Sequence, residues 1–198
     1  QILIPLNIIL AYFVYNSINS EVEFQQVAKV RVAENVQKLK DLRQVQIAYK
    51  KVNNTYSNNF ESLIDFLEND SMAIVKAIGE TPDSLTDAQA LELGIISRDT
   101  VYVLAKETVF DETYLSSRNE KFSLDLSALT TVPHSDQNYS VDAGMVEKGK
   151  VVVQVFEIST TYGAVFTGLD AENKSFELGN LLKVGSMDEA SLNGNWGE

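Results

Sequence analysis

The first fifty residues of this chain hold a single helix breaker, Pro5, and no glycine. That run of permissive backbone constrains the fold more than anything that follows it. Residues 1–20 (QILIPLNIILAYFVYNSINS) carry no charged side chain, and Ile4, Leu6, Ile9, Phe13 and Val14 belong to an apolar run that reads as having no polar face. A helix of that kind is expected against lipid or inside a protein core. About twenty residues at 1.5 Å each reach roughly 30 Å, the hydrocarbon thickness of a bilayer. Tyr12 and Tyr15 stand toward the end where amphipathic rings favour an interface. Pro5 is tolerable near a helix start, where its missing N–H has no intrahelical partner anyway. The expectation is an apolar anchor helix over 1–20, ahead of a buried helix or a cleaved signal peptide. A signal peptide would need a basic leading segment and an A-x-A site.

From Glu21 to Lys51 the apolar positions Val32, Val36, Leu39, Leu42, Val45 and Tyr49 recur at spacings of three and four, which predicts an amphipathic helix over 21–53. Continuous with the anchor, it makes a rod of roughly 75 Å, ending near Asn53 and Asn54, whose side chains tolerate left-handed geometry. Charge separates along it: residues 29–51 hold seven basic against two acidic residues, in a chain whose formal net charge is -12. A solvated face is one reading. The other is an inter-subunit basic face of Lys38, Lys40 and Arg43, on which the acidic head of the next copy rests in a head-to-tail assembly. Around the apolar run, Glu21 and Glu23 oppose Lys29, Arg31 and Lys38, so charge alone leaves the orientation open.

Residues 54–198 form the expected globular head. Asn58 or Asn59 caps a short helix FESLIDFLEND that folds back on the long one. Ser71–Ile78 is a second apolar stretch closed by Gly79, and Thr86 with Gln89 has capping-box spacing for a helix at 87–93 stopped by Gly94. Beyond Arg98 the period turns toward two. TVYVLAKE (100–107), KFSLDLSAL (121–129), NYSVDA (138–143), KVVVQVFEIST (150–160) and KSFEL (174–178) read as strands of a mostly antiparallel sheet. Helices first and sheet second predict an α+β head with an internal boundary near 98–100.

The residues offer little chemistry. There is no cysteine, and His134 is the one histidine, so neither thiolate sites nor a multi-imidazole metal site can be built. His134, Ser135 and Asp136 are neighbours in a turn, an arrangement that seldom gives triad geometry. Phosphate loops and nucleophile elbows are absent. The acidic turns Asp170/Glu172/Asn173 and Asp188/Glu189 lack the alternating oxygens of a calcium loop. The net charge opposes general nucleic-acid binding. Trp196 is expected as a core plug, with a partner anchor as the other reading. No enzyme, metal or cofactor is expected.

The segment AENVQKLKDLRQVQIAYKKVNNTYSNNFESLIDFL (33–67) carries a resemblance. A charged amphipathic helix reaches Ala48 and Tyr49, and a polar turn leads to Tyr56, Phe60 and Leu63. This looks like the end of the first helix in type IV pilins and the pseudopilins of type II secretion, whose overall plan is similar. Those families usually start with Phe or Met and carry a Glu at the fifth position, where this chain has Gln1 and Pro5, and their C-terminal cysteine pair is missing. The chain also resembles single-span membrane proteins of Bacteroidota, in the helix Asp41–Lys50, at Arg98-Asp99-Thr100 and in the ending LLKVGSMDEASLNGNW (181–196). The resemblance implies a non-enzymatic structural subunit assembling through its N-terminal helix into a filament or envelope-spanning complex. A single-span scaffold of a secretion or motility machine is the alternative. Either implies a membrane-anchored protein with its head outside the cytoplasm, and as partners copies of itself, membrane lipid and other envelope-machine subunits.

Overall fold

With no glycine and no proline after Pro5, the backbone runs from Leu3 to Asn53 as one 51-residue helix, α1. The computed structural model describes residues 3–172 and 174–197, with the side chains of Leu3, Pro5, Leu6, Ile8 and Ala77 outside the description. Pro5 falls in the first turn, where no intrahelical donor is lost. The helix closes where Asn54 adopts a left-handed φ of 57° and its N–H reaches the Lys50 carbonyl at 2.9 Å.

The remainder is an α+β head built around the C-terminal half of α1. Helix α2 (Phe60–Asn69) starts at Asn59, whose side chain accepts from the Ser62 N–H at 2.8 Å, and buries Leu63, Phe66 and Leu67. Phe66 meets Tyr49 of α1 edge-on, ring centroids 5.5 Å apart. Strands β1 (Ser71–Ile78) and β2 (Ser97–Leu104) pair antiparallel from Ser71↔Leu104 to Ile78↔Ser97. Between them lies α3 (Asp87–Glu92), with the expected capping box of Thr86 and Gln89 in place. Helices α4 (Ala105–Val109) and α5 (Glu112–Ser117) lead into an irregular stretch. A second sheet then orders β3 (Ser140–Lys148), β4 (Val151–Thr161) and β5 (Leu181–Gly185) as β3-β4-β5, all antiparallel, with α6 (Tyr162–Val165) between the last two. Gly185, at φ 78°, lies so close to the Phe156 carbonyl that a Cβ there would overlap its oxygen. Leu39, Leu42 and Val45 of α1 are fully buried with Phe156, Ile158 and Leu182 of the sheet.

Several expectations are corrected here. Residues 121–129 form no strand, because Asp125 accepts from both the Ser127 N–H and its hydroxyl, and such local bonds compete with a ladder. Residues 174–178 are turn, and the sheet is completed instead by Leu181–Gly185. The boundary near 98–100 disappears, since β2 pairs back with Ser71–Ile78. The reading of a transmembrane anchor, and of a head held outside the cytoplasm by it, is overturned: among the described residues no helix is long and apolar enough to cross a membrane. The amides of Asn7, Asn16 and Asn19 and the hydroxyls of Ser17 and Ser20 interrupt the run, and each is costly to bury unpaired.

α1 also buries a polar row: Asn35, Gln37, Asp41 and Gln46. Each is matched by a loop. The Asn35 carbonyl accepts from the Tyr139 hydroxyl at 2.6 Å, and the Gln37 carbonyl from the Asn119 N–H at 3.0 Å. The Gln46 amide exchanges two bonds with the Ser57 backbone. Asp41, 1% exposed, receives Arg118 through Nε at 2.9 Å and Nη2 at 2.8 Å, with the Tyr114 hydroxyl at 2.8 Å. Breaking such a pair from one side strands a buried charge. Asp41→Ala is therefore expected to cost about 3–5 kcal/mol, and Asp41→Leu combined with Arg118→Met to cost less. Urea denaturation of both variants beside the parent measures this; a double variant as unstable as the single one would refute it.

Candidate functional site

The residues singled out for chemistry do not converge. His134 sits at a left-handed φ of 61° and its Nε2 lies 2.9 Å from Glu34 Oε2 on α1. Ser135 is spent within its own turn, accepting from the Gln137 N–H at 3.1 Å. Among the described residues no hydrogen bond joins His134 to Ser135 or Asp136, and no group of three His, Asp or Glu is placed to hold a metal. Asn173 of the first acidic turn lies outside the described residues.

What the fold does present is a helix divided into two unlike halves. From Ile4 to Ser20 every described side chain of α1 is exposed, among them Ile4 at 67%, Ile9 at 52%, Phe13 at 63% and Val14 at 58%. Of the residues expected to form the assembly helix, Pro5 and Leu6 contribute backbone to α1, and their side chains lie outside the description. The head takes hold at Glu21, paired with Lys174 at 3.1 Å, and at Phe24, the first buried residue described, whose ring packs edge-on against Phe166 and Phe176. A hydrogen bond from Gln25, with Lys174 beside it, holds the Glu21 carboxyl below its ordinary pKa. From Arg31 to Lys50 no side chain of α1 is exposed. The head encloses that half, and about 27 Å of rod, 18 residues at 1.5 Å each, projects from it.

The three basic residues expected on one outward face are not together. Lys38 is turned into the head, its ammonium donating to the carbonyls of Ala128 and of Thr131, the latter at 2.6 Å. Burial lowers its pKa, with Glu34, Asp125 and Asp41 opposing that shift. Arg43 donates to the Leu192 carbonyl at 3.1 Å. Lys40 lines a cleft of about 930 Å³ that runs along α1 from Gln25 to Lys40. Val32 and Val36 form its floor, Ser117–Asn119 one part of its wall, and Phe176 and Trp196 another. Trp196 is half-buried against the core, as a plug, and is also cleft wall. The Asp41–Arg118 pair positions this wall, because Arg118 is both its member and the partner of the α1 carboxylate. Sequence reasoning missed the cleft. Its one signal on α1 was the polar Gln37 beside Val36, both of which line it.

No family model, curated protein or solved structure matches the chain.

Burial raises the pKa of the Tyr139 phenol well above its ordinary 10.0, with Glu34 and Asp41 adding to the effect. Burial and the Asp41 carboxylate do the same to Tyr114. A raised folded-state pKa means the fold holds the proton more tightly than the unfolded chain does. The stabilisation is therefore complete below pH 10 and is lost above it. Half-buried Lys38, whose pKa is lowered, works in the opposite sense. Unfolding free energy is expected to fall by about 1.4 kcal/mol per pH unit above pH 10 from Tyr139, and Tyr139→Phe to remove that part of the slope. Denaturant midpoints at about pH 9 and pH 11 for parent and variant measure it.

Proposed function

We propose that this chain is a non-enzymatic structural subunit, pilin-like in plan, which assembles with copies of itself through the projecting half of α1. The observation that carries the reading is the exposed apolar rod: Ile4, Ile9, Leu10, Phe13, Val14 and Ile18 are all exposed, whereas from Arg31 to Lys50 no side chain of the same helix is. Contiguous apolar surface of this kind marks an interaction site. An isolated helix of about this length is only marginally stable in water, so the rod gains most where a second helix covers it.

The plan supports the same reading. An uncharged half-helix leading into an amphipathic half that serves as the spine of an α+β head separates two tasks, contact with neighbours and support of the exposed domain. Helices joined side by side through such rods form a bundle from which the heads radiate. The absence of charge along residues 3–20 lets identical rods approach without repulsion, in a chain whose heads are strongly acidic.

Replacing Ile9 and Phe13 by Asp tests this. Both side chains are exposed in the monomer, so the head is expected to keep its denaturation midpoint within about 0.5 kcal/mol. Sedimentation velocity and electron microscopy are expected to show bundled or filamentous material for the parent and its loss in the variant. A strictly monomeric parent, or unchanged bundles in the variant, would sink the proposal.

A further inference from the structure

The β1–β2 ribbon is an arm. Its base, at Ser71↔Leu104, adjoins α2 and α4, and eight paired residues, about 25 Å at 3.3 Å each, carry its other end away from that contact. A two-stranded ribbon is marginal in water unless something packs on it. Its tip, residues 79–96, holds Glu80, Asp83, Asp87 and Glu92 and no Lys or Arg. Ile78, Leu93 and Ile95 are exposed around it, Leu93 at 64%. The tip is thus acidic and apolar at once.

The cleft along α1 has the opposite character. Lys29, Lys40 and Arg118 line it above the Val32 and Val36 floor, and none of its lining residues is Asp or Glu. This is unusual ground in a chain with 28 acidic and 16 basic residues. Lys29 is exposed at the rim, while Lys40 and Arg118 already have partners within the chain, so Lys29 is the cation an incoming surface meets first.

We infer that the acidic tip of the β1–β2 arm of one copy docks in the basic cleft beside α1 of another. Exposed Leu93 and Ile95 meet the Val32/Val36 floor and Trp196, and Glu80 and Glu92 face Lys29. The two patches differ and sit on different parts of the molecule, so the contact is heterologous and adds copies head to tail. It takes copies of the chain as partners, as the proposed function does, but uses neither the rod nor any residue of it. Complementary charge steers the encounter and makes it sensitive to salt.

The test uses the full chain with Ile9→Asp and Phe13→Asp, which silences the rod contact. In that background the tip–cleft contact is expected to leave concentration-dependent oligomers in sedimentation velocity. Their association should weaken at least about tenfold between low and high salt, the range over which exposed charges become screened. Lys29→Glu alone, and Glu80→Lys with Glu92→Lys alone, are each expected to give monomers. A mixture of these two chains is expected to associate again in 1:1 ratio, because one supplies an intact tip and the other an intact cleft, and the two reversed surfaces complement each other in charge as well. All three residues are exposed, and circular dichroism checks that the variants keep the parent's helix content. Association that survives either reversal, a mixture that stays monomeric, or oligomers indifferent to salt would overturn the inference. A background that is monomeric up to about 0.1 mM would also overturn it while leaving the rod reading intact. The rod reading fails separately, if the unmodified chain and the Ile9→Asp/Phe13→Asp chain associate alike.

Discussion

Asp41 is a carboxylate at 1% exposure in the C-terminal half of the longest helix, and the arrangement of the head around that helix depends on it. A lone anion there would be prohibitively desolvated, so the fold must deliver a cation to it. That cation comes from Arg118, 77 positions away, in a fork geometry that a carboxylate accepts along one direction only. Delivering Arg118 fixes the end of α5 and brings Asn119 to Gln37, while the Tyr114 hydroxyl closes the same carboxylate. Asn35, Gln37 and Gln46 extend the principle up and down α1, each pairing with a loop that has no regular structure of its own. Apolar burial on α1 attracts the head, but it is the polar row that specifies which loop lies where.

This division explains what the sequence made legible. The breaker-free run gave away α1, and the left-handed Asn54 its end; Asn59 and the Thr86/Gln89 box mark starts where the required bond is local, three residues long. Strand β4 was legible because β-branched and aromatic residues dominate its eleven positions. The failures are places where the deciding partner is remote. KFSLDLSAL alternates well enough to pass for a strand, but Asp125 folds it locally and Lys38 of α1 takes the Ala128 carbonyl that a ladder would have used. LLKVG is too short to announce itself and becomes β5 only because Gly185 fits against Phe156. The cleft was hidden for the same reason: Val32 and Trp196 line it together from opposite ends of the chain.

Charge shows the same contrast between sequence and space. Lys38, Lys40 and Arg43 look like one basic face in a linear reading, and the fold disperses them. Lys38 ties down the loop at Ala128 and Thr131, Arg43 holds the Leu192 carbonyl, and Lys40 turns to the cleft. What survives of the basic character is concentrated at one concave place, where Lys29 joins Lys40 and Arg118. The acidic excess is likewise uneven, and the arm tip is one of its densest stretches. A chain carrying a formal charge of -12 repels its copies at long range. The proposed association is therefore confined to surfaces where that repulsion is locally absent or reversed, and the uncharged rod and the basic cleft are two such surfaces.

The amides on the rod bear on what its surroundings are. Asn7, Asn16 and Asn19 are exposed, and Asn19 already donates to Glu23 at 2.6 Å, so polar bonding begins inside the stretch that reads as apolar. In hydrocarbon an unpaired amide is a continuing cost, whereas between helices it can pair with the same residue of a neighbour. Buried Asn in helix bundles lowers stability while selecting one register over its alternatives. On the proposed assembly of rods, Asn7 and Asn16 would thus set how far one copy is displaced along the next. Ile9, Phe13 and Ile18 then supply the area, and the register they share follows from the amides rather than from the apolar residues themselves.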